Sequence, residues 1–541
     1  MSLLTSAAAR AFGLPPPTTP RVHVERDVRL LGRDGVELLT NLYMPTPIQQ
    51  RPAILIRTPY GRTGFWALFA RGFAERGYHA VVQSCRGTFG SGGEISFSEE
   101  AADGRAAADW IVTQRWSNGE IGTFGPSYLS FAQWALASTR PPQLKAVAIQ
   151  IMSADRSRSF YPGGTFALDN ALTWTYMMAN QERSRLASLK AQLRSQRVLA
   201  PVFQHLPLVD ADVQLTGHEV AYYRSWLEHR PGDEFWLQLD FSPLLRQHRV
   251  PTSFVGGWYD YFLPYMLDEF HVLSQAGVYT QLVVGPWPHA SAAGLLAGFR
   301  EGLAWFDLHL RHQEARSKHV PVRIEAMGGG GTRPLPSWPP PAAERRWYLH
   351  PGHGMAETPP VASEPDRFRF DPADPTPAVG GTSLSSNSGP RDNRTLEARA
   401  DVLTFTTSRL EDDLEVIGPV FAELHMTSST EHFDVFVRLC DVEPSGRSIN
   451  VCDGILRCEP RHTQPIRVEL WPTAHRFPRG HRVRLQVSGG AHARFARNLG
   501  TGEPLATGTR LAASDRAVYH DPERPSCLTL PTVGQGTADA P

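Results

Sequence analysis

The sequence predicts a mainly parallel α/β domain, interrupted by a helical insertion and followed by an all-β domain. Three observations carry this expectation. Strand and helix patterns alternate from Val22 to Met152, and again from Thr252 to Arg311, as in a parallel sheet covered by helices. Between these stretches, over residues 155–248, strand signals fade and Leu, Gln, Arg and large aromatics dominate. Beyond Pro341, short β patterns separated by Gly, Pro and Asp turns take over, and helix signals are scarce.

Each element follows from its residues. Val24–Arg29 and Val36–Tyr43 form an opening antiparallel pair turning at Asp34-Gly35. Ala53–Ile56 is a short apolar run suited to a buried strand, Ala80–Val82 and Ala146–Gln150 read as strands, and Gly119–Phe124 leads into another. Helices are expected over Ala67–Glu75, Ala101–Thr113 and Ser130–Ser138. The insertion carries Phe160, Trp174, Tyr176, Trp226 and Trp236; such a segment inside an α/β domain caps the site at the strands' carboxyl ends. Strands resume at Thr252–Gly256 and Gln281–Val284, and a helix follows at Leu303–Arg311. The expected division is therefore 22–154 and 249–333 for the two parts of the α/β domain, and 155–248 for the cap. Pro334–Pro341 serves as a linker, and 342–533 forms a β-sandwich or jelly roll built on runs such as Val420–Met426, Asp434–Asp441 and Arg482–Ser488.

Composition removes several function classes. Lys+Arg and Asp+Glu both number 54, so no basic excess attracts nucleic acid or anionic lipid. No apolar run is long enough to span a bilayer. Met1–Gly13 lacks a charged start and a continuous apolar core, so it does not read as a signal peptide, and the cytoplasm is the default location. Pro15, Pro16, Pro17 and Pro20 mark an extended lead-in, and the tail after Val533 is polar. The five cysteines are too few for a disulfide scaffold. Cys440, Cys452 and Cys458 lack paired C-x-x-C spacing, so they read as buried free thiols. Neither metal nor cofactor is expected.

The chemistry gathers at strand ends. Gly125-Pro-Ser-Tyr-Leu-Ser130 lies between a strand and a helix. A Ser at such a turn presents its hydroxyl above the sheet, and the following N–H is left free at a helix N-terminus. Leu129 stands where G-x-S-x-G has its second Gly, and Ser127 could equally be an ordinary helix N-cap. Two more strand ends weigh against that plainer reading. Thr252-Ser-Phe-Val-Gly-Gly-Trp-Tyr-Asp260 ends in an acid, and Gln281-Leu-Val-Val-Gly-Pro-Trp-Pro-His289 ends in a His. The chain order Ser, Asp, His is that of α/β-hydrolases. His289 can take the Ser127 proton, and Asp260 can orient and stabilise the imidazolium. His79 and His271 lie inside predicted elements and fit less well. With a His as base, acylation should weaken below pH ~6–7.

These motifs, with Arg57-Thr-Pro-Tyr60, Arg86-Gly-Thr-Phe-Gly-Ser-Gly92, Trp116-Ser-Asn-Gly119 and Phe370-Asp-Pro-Ala-Asp-Pro-Thr-Pro-Ala-Val-Gly-Gly381, resemble the cocaine-esterase-like (CocE/NonD) hydrolases. These are kin of the X-prolyl dipeptidyl peptidases, glutaryl acylases and α-amino acid ester hydrolases. The resemblance runs from about Val22 to Leu530. It implies an α/β-hydrolase domain, a helical cap and a C-terminal jelly roll. It also implies an oxyanion hole made by the Tyr60 hydroxyl and the Tyr128 N–H, and an acyl pocket lined by Trp174, Phe262 and Phe160. Read without the family, Tyr60 is a partly buried aromatic at a strand end, and the other three are cap packing.

The sequence departs from the family at Ser130 (commonly Gly), Pro126 and Ser84 (usually Asp). Tyr261, Phe262 and Leu263 occupy the stretch where α-amino acid ester hydrolases place acids for a substrate ammonium; Asp268 and Glu269 lie further on. The expectation is a carboxylesterase acting on a small ester, with a homo-oligomer left open. An amidase, acylase or X-prolyl dipeptidyl peptidase using the same residues is the first alternative. A carbohydrate- or partner-binding protein with a weakened hydrolase domain is the second.

Overall fold

The computed structural model describes residues 13–19, 21–313, 320–460 and 462–534. Residues 1–12, Pro20 and 535–541 lie outside the described residues, and with them most of the Met1–Gly13 stretch and of the polar tail.

The α/β domain is built on a ten-stranded sheet in the order β1-β2-β4-β3-β5-β6-β7-β8-β9-β10. Its strands are β1 (Val22–Leu31), β2 (Glu37–Pro45), β3 (Arg51–Thr58), β4 (His79–Ser84), β5 (Ser117–Pro126), β6 (Leu144–Gln150), β7 (Thr252–Tyr259), β8 (Thr280–Pro288), β9 (Val322–Ala326) and β10 (Gly331–Leu335). Strands β4, β3, β5, β6, β7, β8 and β9 run parallel. Every residue of β4 and β7 is buried, as expected where helices cover both faces. On one face Phe69, Phe73, Phe124, Phe299 and Phe306 pack together; on the other, Leu55, Val81, Ala107, Ile111 and Leu136 do so.

The sheet extends further than the sequence predicts. β9 and β10 close its edge as an antiparallel hairpin, and Pro334 and Leu335 of the expected linker belong to β10. A proline is tolerated there because an edge strand has one side with no ladder hydrogen bond to make.

Residues 155–248 hold only helical elements, among them Arg156–Phe160, Leu168–Asn180, Arg185–Phe203 and Ala221–Glu228. Their interior is aromatic: Phe166, Tyr223, Trp226 and Trp236 are fully buried. None of the described helices is long and apolar enough to cross a membrane.

The C-terminal region is all-β apart from one turn of helix at Arg394–Glu397. Its longest strand, Leu414–Ser428, pairs with Ile466–Phe477 on one side and with Ser514–Asp521 and Cys527–Thr532 on the other. Strands Asp366–Phe370 and Ile466–Phe477 alternate between buried and exposed residues over much of their length, the pattern of a sheet with one wet face. One hydrophobic core joins this region to the α/β sheet, running from Trp258 and Met266 through Trp338 and Trp347 to Val416 and Leu528. The cap also reaches it. Gly163 approaches so closely that a Cβ would lie 1.8 Å from the Ile455 carbonyl oxygen. All five cysteines are free and buried.

Candidate active site

Four strands deliver the candidate side chains to one edge of the sheet. Tyr60 follows β3, Ser127 follows β5, Asp260 follows β7 and His289 follows β8. The parallel pairing puts these carboxyl ends side by side.

Ser127 sits at a strained turn, with φ 56° and ψ −128°. A non-Gly residue at positive φ is costly and is held only when its surroundings fix it. Here the fixing is local. The Ser127 N–H donates to the Gln150 carbonyl at 3.0 Å. Gly125, at φ 137°, leaves the space that Leu129 fills; a Cβ on Gly125 would lie 2.5 Å from the Leu129 side chain. Ser130 donates to the Gly125 carbonyl at 2.6 Å and accepts from the Gln150 N–H at 2.8 Å. The hydroxyl that replaces the family's Gly therefore ties the elbow to both flanking strands.

Ser127 does not cap the helix it precedes, because its side chain makes no capping bond. Its Oγ lies 3.2 Å from His289 Nε2 instead, and His289 Nδ1 lies 2.6 Å from Asp260 Oδ2. The second Asp260 oxygen accepts from the Phe262 N–H at 2.8 Å, so the buried carboxylate has a fixed orientation. His79 is buried within β4 against the Gln49 carbonyl, and His271 lies on the helix Leu263–Gln275.

Tyr60 closes the site from the other side. Its phenol accepts from the Trp174 indole N–H at 3.0 Å, leaving its own proton free to donate. Burial, which outweighs that bond, pushes the Tyr60 hydroxyl up to about 12. The Tyr128 N–H begins the helix Tyr128–Ser138 and so has no intrahelical acceptor. The Tyr128 side chain is anchored, because its hydroxyl donates to Glu100 at 2.9 Å. Glu100 in turn pairs with the buried Arg57, whose Nε donates to Gln83 at 2.8 Å. Arg57 of the R-T-P-Y motif thus supports Tyr128, the residue after Ser127. Arg86 of the next motif pairs with Asp103 at 2.7 Å and Asp34 at 2.6 Å. Ser84, in place of the family's Asp, accepts from Arg62 at 3.1 Å.

Aromatic rings crowd this edge. Trp174 lies parallel to Tyr128, with ring centroids 6.3 Å apart. Phe262 is 5.7 Å from the His289 ring, and Tyr261 is closer at 4.7 Å. Phe160 lies deeper in the cap, 4.4 Å from Trp226, which itself packs on Trp174 at 5.7 Å. Sequence reasoning missed Tyr261 as a neighbour of His289, and missed Phe97, which touches both Tyr128 and Trp174. The position of Tyr261 directly after the acid was the available signal. Phe97 lies in a loop and offered none.

The arrangement can activate a hydroxyl, hold the base in one tautomer, and offer two donors to a developing alkoxide. Comparisons with known proteins point to a serine hydrolase. Residues 34–291 match the X-Pro dipeptidyl-peptidase (S15 family), and residues 316–529 match the X-Pro dipeptidyl-peptidase C-terminal non-catalytic domain. The cocaine esterase of Rhodococcus sp. (strain MB1 Bresler) is 31% identical, over 94% of this chain and 98% of that protein. Among solved structures, an α-amino acid ester hydrolase aligns with a TM-score of 0.78 at 23% identity, covering 96% of this chain and 98% of that one. An aminopeptidase from a marine sediment Thaumarchaeota archaeon aligns at 0.79 and 22%, with the same coverage. These two likenesses speak for the fold. With the cocaine esterase match over nearly its full length, the chain belongs to the cocaine-esterase-like (CocE/NonD) family of serine hydrolases.

Proposed function

We propose that this serine hydrolase cleaves carboxylic esters through an acyl-enzyme on Ser127, with His289 as base, Asp260 as its orienting acid, and Tyr60 and the Tyr128 N–H as oxyanion donors. The observation that carries the reading is the unbroken chain from Ser127 Oγ to His289 at 3.2 Å and on to Asp260 at 2.6 Å. Ser127 Oγ attacks the carbonyl carbon while His289 Nε2 takes its proton. The carbonyl oxygen becomes an alkoxide facing Tyr60 and the Tyr128 N–H. Collapse breaks the bond to the leaving oxygen, and His289 returns the proton to the departing alcohol. Water then repeats the sequence, releasing the acid and restoring Ser127.

The similar cocaine esterase is an ester hydrolase by name, and the absence of acids at Tyr261, Phe262 and Leu263 removes an obvious ammonium site. The C-terminal β region serves this reading as part of the enzyme rather than as a separate binding module. The Tyr259 hydroxyl, next to the acid, donates to the Asn450 carbonyl at 3.3 Å. The purified protein should hydrolyse an aryl ester, and Ser127→Ala should lower kcat by roughly 10⁶-fold. Equal rates in the two proteins would end the proposal. Matched ester and amide substrates separate esterase from amidase or peptidase, and a clear amide preference would replace the ester reading.

A further inference from the structure

Arg156 opens the short cap helix Arg156–Phe160 and points inward. It is 5% exposed. Its guanidinium carbon lies 5.0 Å from the Phe97 ring centre and 5.1 Å from those of Phe131 and Phe160. Tyr60, Tyr128 and Tyr261 are its other polar neighbours of consequence. Phe97 itself packs on Tyr128 at 5.6 Å and on Trp174 at 6.0 Å, so Arg156 lies on the aromatic wall next to the candidate site.

A guanidinium carries five N–H donors and stays charged. Ring faces attract its charge but accept few of those hydrogens. Its Nε is buried without a hydrogen-bond partner, and among the described residues it forms no ion pair. The nearby carboxylates are engaged elsewhere. Asp155 accepts from the Ser157 N–H at 2.8 Å and the Ser157 hydroxyl at 2.7 Å. Glu100 is held by Arg57 and Tyr128, and Asp260 by His289 and Phe262. Two residues on, Arg158 shows the ordinary alternative: it is half exposed and paired with Asp268 at 2.8 Å. A buried charge without a partner is expensive for a fold, and a site that lacks an internal acceptor is completed when a ligand brings one.

We propose that Arg156 is a specificity residue that binds a carboxylate at the far end of the substrate's acyl group, so that the preferred substrates are half-esters of short dicarboxylic acids. A planar carboxylate matches the guanidinium fork. The surrounding rings leave the pair little water, so the interaction is strong, and a substrate ammonium is repelled. The inference rests on the acyl-enzyme reading above and names the acyl part of its substrate.

The test compares kcat/KM for p-nitrophenyl butyrate with that for the mono-p-nitrophenyl esters of succinate and glutarate. Wild type should favour the half-esters. In Arg156→Met the ratio of half-ester to neutral ester should fall by about 30-fold or more, mostly through KM, as when one partner of a buried charge pair is truncated. Arg156→Lys should recover part of it. Because the ratio is internal to each protein, a general loss of activity or folding in a variant cancels. A wild-type preference for the neutral ester, or a ratio unchanged in Arg156→Met, would overturn the inference and leave Arg156 a cation–π support. A preference for a carboxylate on the leaving group instead would overturn its assignment to the acyl side. Hydrolysis of the butyrate ester that depends on Ser127 but ignores charge defeats this inference alone. No Ser127-dependent hydrolysis of any of these esters defeats the acyl-enzyme reading itself.

Discussion

The cap and the C-terminal β region both bury an arginine, and they surround it in opposite ways. Arg438 of the β region is fully buried. Its Nε and Nη2 donate to Asp453 at 3.2 and 2.9 Å, and its Nη1 donates to Asn393 at 2.7 Å and to the Val379 carbonyl. Arg156 of the cap is almost as buried, but only aromatic rings face its charge closely. Arg438 is provided with acceptors by the fold itself, so it acts as an internal cross-link. Arg156 is not, and the Phe97 ring it faces packs on Tyr128 and Trp174 of the candidate site. The difference separates charge that holds the molecule together from charge kept available for what enters it.

The largest expected effect tests the first half of that contrast. Asp453 serves two arginines, since Arg494 Nη1 also donates to it at 2.5 Å. Burial would raise an isolated carboxyl; here the two guanidiniums outweigh it and hold Asp453 below its usual range. Asp453→Ala leaves both cations buried without their shared acceptor. Urea unfolding should show a loss of about 3–5 kcal/mol. An unchanged midpoint would mean that these arginines find solvent or other acceptors, and the contrast with Arg156 would collapse.

Next in size is Tyr60→Phe, which sharpens the other half. In the proposed mechanism it removes a donor to the alkoxide, and kcat should drop roughly 10²–10³-fold. The folded state loses the acceptor of the Trp174 N–H and the hydroxyl's contact with Ser127, a change of about 1–3 kcal/mol. A variant that keeps full kcat would make Tyr60 the plain strand-end aromatic of its simplest sequence reading. Paired with Asp453→Ala, it distinguishes a residue whose loss is felt mainly in the reaction from one felt mainly in unfolding.

How much of this was legible in the sequence depended on whether a signal was local. The buried strands β3 and β4 carry short apolar runs at Ala53–Ile56 and Ala80–Val82, and Ser127, Asp260 and His289 each sit directly after a strand, so strand ends pointed to them. β9 and β10 escaped because Val-Arg-Ile-Glu-Ala and Gly-Thr-Arg-Pro-Leu are short, charged and proline-containing, and they become strands only by pairing with each other and with β8. Leu129 looked like a defect in the elbow; its side chain occupies the space that Gly125 leaves open. Arg156 was invisible for a different reason. Arg156 and Arg158 look alike in Asp-Arg-Ser-Arg-Ser, and only the packing of the cap on Phe97 and Phe131 decides which one turns inward.

The smallest expected effect is a rate that stays level where an ordinary tyrosine would lower it. In the proposed mechanism Tyr60 must keep its proton to donate to the alkoxide. In water a tyrosine hydroxyl is half ionised near pH 10, so a solvated donor would cost about half the activity there. Burial pushes the Tyr60 hydroxyl up to about 12; the neutral donor then persists, and kcat should be level from about pH 8 to 10.5. The sign for stability is opposite to that for rate. Between pH 10 and about 12 the unfolded chain gives up this proton while the folded chain retains it, so stability drains away as pH rises. Initial rates taken beside a folding probe separate the two effects. A fall in kcat centred near pH 10 in protein that remains folded would show a Tyr60 reached by water, and with it a cap too open to keep the Arg156 charge apart from solvent.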